Sequence, residues 1–134
     1  MVWDADGAGP LLDWLEIPRR HALEPEDDLR GLVQVDLPDH DSTEMAHRLE
    51  VDRLVGLVDV LVWVLDPQKY ADAAIHDRYL APSAAHQDVL VVVLNHIDTV
   101  PEERRQSMLD DVRRLLDADG LDRVPVLPLS LIHI

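Results

Sequence analysis

The chain has no cysteine and no phenylalanine. Without cysteine, disulfides and thiolate zinc sites are both excluded. Aromatic residues reach only 4 %, so a core must be built from Val, Leu, Ile and Ala. Lysine is nearly absent too, with Lys69 the single example among 12 basic residues. No apolar run reaches the roughly 18 residues of a membrane span; "VDVLVWVLD" and "DVLVVVLN" are far shorter. The N-terminus lacks a basic region followed by an apolar one, so no secretory signal is visible, and a cytoplasmic location is the expectation.

What is present is acid. Twenty-seven Asp and Glu against 12 bases give a net charge of −15 over 134 residues. Such a chain repels nucleic acid and disfavours direct docking of these residues on anionic lipid. The same charge serves solubility. Apolar residues make up 47 %, enough for one domain with a real core. The bias to Arg over Lys, and to Ala, Val, Leu and Asp, resembles translation from a GC-rich, bacterial genome.

Regularity begins near residue 31. Residues 1–30 read as an irregular connecting segment, with "ADGAGP" a loop and "LLDWLEI" a short helix or strand. Residues 31–134 read as one α/β unit. Leu32–Asp36 is a short apolar run ending in acid, a strand. Ser42 and Thr43 are helix-capping types, and apolar residues recur from Met45 to Val58 near a helical period. Val58–Leu65 and Val89–Leu94 are β-branched runs without polar alternation, the pattern of strands buried in a parallel sheet. Helix-like stretches follow them, Tyr70–His86 with Pro82 as a break, and Pro101 to about Ala118 with Gly120 as the stop. Val124–Leu129 is a last strand. Strands alternating with helices predict a three-layer α/β/α sandwich around a mostly parallel sheet.

Ligands of such sheets bind at the carboxyl ends of the strands. Four places qualify: Asp36–Ser42, Asp66–Lys69, Asn95–Thr99 and Ser130. "NHID", Asn95 to Asp98, follows a buried strand at once. A guanine ring presents acceptors N7 and O6 on one edge and donors N1–H and N2–H on the other. An Asn amide suits the first edge, and a carboxylate accepts both donors of the second.

This spacing resembles the N-K-x-D motif of P-loop GTPases, with His96 in place of the lysine. A flat imidazole could stack on the base. "DLPD", Asp36 to Asp39, resembles the D-x-P-G motif of the same family and lies in the expected order, two strands earlier. The resemblance implies that Asp36 holds magnesium through water and that Asp39 faces the γ-phosphate, where the family has glycine. His40 falls where translation-factor GTPases carry the histidine that orients the attacking water. "LPLS" resembles the strand leading to the family's S-A-x loop, which puts Ser130 on the guanine side, with Leu131 in place of alanine. The implied ligands are GTP with Mg²⁺, alongside an unknown protein partner.

The family's G-x-x-x-x-G-K-[ST] loop is absent from these residues. The resemblance therefore implies a GTPase domain truncated at both ends, inactive alone, closest in flavour to the dynamin-like or ribosome-assembly-like bacterial members of the TRAFAC class. Three other readings stay open: a GTPase-like interaction module without hydrolysis, a receiver domain whose acceptor strand "VQVDLPDHD" resembles, and a metal phosphohydrolase built on His40-Asp41. Trp3, Trp14 and Trp63 read as packing residues. Arg104, Arg105, Arg113 and Arg114 read as a solvated helix face.

Overall fold

The computed structural model describes residues 1–3, 7–24, 27–37, 49 and 52–130. They fall into two compact units, Met1–Gly56 and Leu57–Ile134, taken in turn.

The first unit holds more regular structure than its sequence announces. Strand β1 (Val2–Trp3) pairs in parallel with β2 (Ala22–Leu23), Val2 opposite Ala22. Helix α1 (Ala8–Trp14) lies between them. It begins after Gly7, whose φ of +89° is a conformation that glycine adopts at no steric cost. So "AGP", expected as loop, is the first turn of a helix, where Pro10 gives up no intrahelical hydrogen bond. Leu12 and Leu15 turn inward, with Leu12 4 % exposed, whereas Trp14 is 66 % exposed and is no core residue. A 3₁₀ turn spans Asp27–Leu29.

The strand expected over Leu32–Asp36 is reduced to one bridge, Val33 antiparallel to Val2. The Met1 amine donates to the Gln34 carbonyl (2.7 Å) and Trp3 N–H to the Leu32 carbonyl (3.0 Å). The N-terminal residues thus take up the backbone groups of 32–34. Residues 52–55 are helical, with Leu54 buried and Arg53 donating to the Leu15 carbonyl at 2.6 Å.

The second unit is an α/β layer pair. Strands β3 (Leu61–Leu65), β4 (Leu90–Leu94) and β5 (Val126–Pro128) form a parallel sheet in the order β3-β4-β5. Leu65 faces Leu94, which in turn faces Pro128. Parallel neighbours need crossovers, and both are helical. The first runs from α2 (Ala73–Ile75) through a π turn (His76–Leu80) into a 3₁₀ stretch (Ala81–Val89) that contains Pro82. Asp72 caps its start, accepting from Ala74 N–H at 2.9 Å. The second is α3 (Glu102–Ala118), 17 residues.

Strands stepping in one direction through right-handed crossovers put both helical stretches on one face of the sheet. Burial agrees. Trp63, Leu65, Leu90, Val92 and Leu94 are buried with Tyr79, Leu80, Val112 and Leu116, and the Trp63 and Tyr79 rings stand 5.0 Å apart. The opposite face shows Val62, Val64 and Leu127, each at least half exposed. The expectation that 58–65 is buried on both faces in mid-sheet is therefore corrected: β3 ends the three-stranded sheet, and β4 is the central strand.

Helix α3 ends as its sequence predicts. Gly120 has φ +82°, its N–H bonds to the Asp117 carbonyl, and Leu121 N–H bonds to the Leu116 carbonyl at 2.8 Å. That pair of bonds is a Schellman closure, sealed by Leu116 and Leu121, both fully buried. Pro101 sits one place earlier than expected, at the N-cap, and Glu102 and Glu103 fill the first turn, where acid suits the helix dipole. Among the described residues no helix is long and apolar enough to cross a membrane.

Candidate functional site

Because β3, β4 and β5 run parallel, their carboxyl ends share one edge of the sheet. Three of the sequence-selected places lie there. After β3, Asp66 folds back in a turn, its carboxylate accepting from Gln68 N–H at 2.8 Å and its carbonyl from Lys69 N–H at 3.0 Å. After β4 comes the turn Asn95–Thr99. After β5 comes Ser130.

The central turn is fastened to both neighbours. Asn95 N–H donates to the Leu65 carbonyl (2.9 Å) at the end of β3. On the other side, Leu129 N–H donates to the Leu94 carbonyl (2.9 Å) and Ile97 N–H to the Leu129 carbonyl (3.2 Å). The structure thus brings Asn95, His96, Asp98 and the residue before Ser130 to one place. His96 makes the bend, with φ 55° and ψ 30°. This left-handed conformation is uncommon for a residue with a side chain, though histidine is among the types that tolerate it. A 3₁₀ turn follows over Ile97–Thr99, and the Thr99 hydroxyl donates back to the His96 carbonyl at 2.7 Å.

Within this turn, Asn95 Oδ1 and Asp98 Oδ1 are buried and have no hydrogen-bond partner among the described residues. A buried acceptor left unpaired costs about 1–3 kcal/mol. Two of them, three residues apart on one turn, make a local deficit of donors. An N–H-bearing edge would complement the Asp98 carboxylate, whereas the Asn95 amide also carries an NH2 that donates.

Of the four α3 arginines expected on a solvated face, Arg104 and Arg114 are exposed, whereas Arg105 and Arg113 turn to backbone carbonyls. The Arg105 Nε donates to the Val100 carbonyl (2.9 Å) and its Nη2 to the Asp98 carbonyl (3.3 Å). Arg113 reaches the Leu121 carbonyl at 2.6 Å and also the Val124 carbonyl. Arg114 pairs with Asp111 one turn away, as helical spacing predicts. The sequence gives no sign of which arginines turn inward, because their carbonyl partners carry no side-chain signature.

Another constellation has no local signature in the sequence. His76 is buried in the crossover, its Nδ1 against the Asp119 carboxylate and its Nε2 2.8 Å from the Tyr70 carbonyl. Burial works to lower its pKa, but the Asp119 hydrogen bond, the Tyr70 carbonyl and the charges of Asp119 and Asp77 outweigh it, and the net shift is upward. Beside it the Tyr70 hydroxyl donates to Asp111 at 2.6 Å. That bond raises the Tyr70 pKa and, helped by Arg114, lowers that of Asp111.

Asp36, the expected magnesium residue, belongs to the first unit and is exposed. A single carboxylate completed by water and phosphate oxygens is a donor set that magnesium accepts. Among the described residues no group of three His, Asp or Glu side chains could hold a metal by itself. Asp39 and His40, with Ser42 and Thr43, lie outside the described residues. No family model matches this chain, and no curated protein matches it.

Proposed function

We propose that this chain is part of a guanine-nucleotide-binding domain of the GTP-hydrolysing switch class, with Asn95 and Asp98 reading the base. The observation that carries the reading is the unpaired Asp98 carboxylate oxygen, three residues after Asn95 on a turn at the carboxyl edge of a parallel sheet. In this reading the Asp98 carboxylate accepts N1–H and N2–H of guanine, and the Asn95 amide serves the N7/O6 edge. His96 stacks against the ring, and the backbone at Ser130 closes the O6 side. By resemblance alone, Asp36 would hold Mg²⁺ through water, an ion that supplies charge to a transferring phosphoryl group. By resemblance, Asp39 lies on the γ-phosphate side and His40 orients water. These residues carry no glycine-lysine cradle for the phosphates, so the role open to direct test is base selection by Asn95 and Asp98.

The reading extends to architecture. The bare apolar face of Val62, Val64 and Leu127 calls for a second helical layer, which is the three-layer sandwich in which such switches are built.

The test is titration of the full 134-residue chain with GMP and with AMP, followed through the backbone amide signals of residues 95–100. GMP should move these signals at lower concentration than AMP, and Asp98→Ala should weaken GMP by roughly tenfold. Equal response to the two nucleotides, or an unchanged GMP response in Asp98→Ala, would refute the base-reading role.

A further inference from the structure

We infer that Arg105 is the positioning residue of the base-reading turn; the inference rests on the guanine reading above. The turn between β4 and α3 is held at three points. Two are backbone bonds, Asn95 N–H to the Leu65 carbonyl and Ile97 N–H to the Leu129 carbonyl. Both lie before Asp98. Past Ile97, the backbone N–H groups of Thr99 and Val100 bond within the turn, to the His96 and Ile97 carbonyls, before α3 begins at Glu102.

The Arg105 guanidinium supplies the third point. Rising from the first turns of α3, it is half-buried and donates to two carbonyls of the same turn, those of Asp98 and Val100. A planar fork with fixed N–H directions fixes both peptide planes at once, whereas an ammonium with rotatable donors on a flexible stem fixes neither direction. Fixing the Asp98 peptide sets the direction in which its Cβ leaves the chain, and so where its carboxylate can reach. The Thr99 hydroxyl bond to His96 acts within the turn and cannot set its angle to the helix. Arg105 touches no base in this arrangement; it acts through Asp98.

The experiment is a double-mutant cycle on the full chain, reading GMP and AMP affinity, with thermal midpoints recorded for each variant. Arg105→Ala should weaken GMP by about fivefold and leave AMP unchanged. In an Asp98→Ala background the same substitution should change GMP binding by less than about twofold, because its route to the base has gone. Arg105→Lys should fall between. If Arg105→Ala unfolds the chain, Arg105→Gln, which keeps part of the stem and a single donor nitrogen, carries the same comparison. A GMP affinity unchanged in Arg105→Ala, or an equal loss in both backgrounds, overturns the positioning role while the guanine reading stands. No preference for GMP over AMP in the unsubstituted chain overturns the guanine reading, and the role of Arg105 with it.

Discussion

His76 presents two ring nitrogens to two acceptors, the Asp119 carboxylate and the Tyr70 carbonyl. Only the imidazolium has a proton for each. Its raised pKa has a definite thermodynamic sign. The folded state holds the proton more tightly than the unfolded chain, so the bridge stabilises fully below about pH 6.5 and is lost as pH rises through the raised value. Asp111, with its lowered pKa, acts at the other end: its share is present above the ordinary carboxylate range and is lost on acidification. Urea denaturation across this range should show stability falling toward alkaline pH. In His76→Gln that alkaline limb should flatten, and an unchanged limb would exclude His76 as its source. A second residue-scale outcome concerns Gly120. Its φ of +82°, with a neighbouring Ala84 carbon 3.4 Å from where a Cβ would stand, makes Gly120→Ala strained and crowded. The expected cost is about 1–2 kcal/mol, read as a drop in the denaturation midpoint.

At the scale of elements, truncating the seam between the sheet and its helices separates the covered face from the bare one. Leu116→Ala removes a side chain with no exposed surface and should cost about 2–5 kcal/mol. Val64→Thr, on a side chain 59 % exposed, should change stability by less than about 1 kcal/mol in the same assay. The comparison also marks what the residues disclosed. Helix α3 was legible from Pro101 to Gly120 because its boundary residues act locally, through a fixed φ at one end and a positive φ at the other. Strand β4 was legible because it is covered on nearly all its length. Strand β3 is legible as a strand, but periodicity cannot distinguish a bare valine face from a covered one. The short strands of the first unit were missed because two-residue pairings leave no periodic trace. For the site, "NHID" announced its place after a strand; the αL bend at His96 and the guanidinium behind Asp98 are set by tertiary partners no local pattern encodes.

Across the whole molecule, the dominant number is the charge of −15. Like charges repel more in the compact state than in the expanded one, and salt screens them over about 8 Å at physiological ionic strength. Adding sodium chloride to a low-salt buffer should therefore raise the urea midpoint at neutral pH; a flat or falling midpoint would show that specific ion pairs such as Arg20–Asp13 and Arg123–Asp88 outweigh the repulsion.

The strand order also has a kinetic consequence. In a sheet running β3-β4-β5, each pairing joins strands adjacent in sequence, and β4 takes part in both. No pairing closes without a full helical crossover, so chain-closure entropy must be met early, and folding is slow relative to a helical bundle of this size. Either crossover can close first, but neither can close without the valines of β4. Substitution at Val92 should slow refolding more than it speeds unfolding, whereas truncation at Val126 should act mainly on the unfolding limb of the chevron.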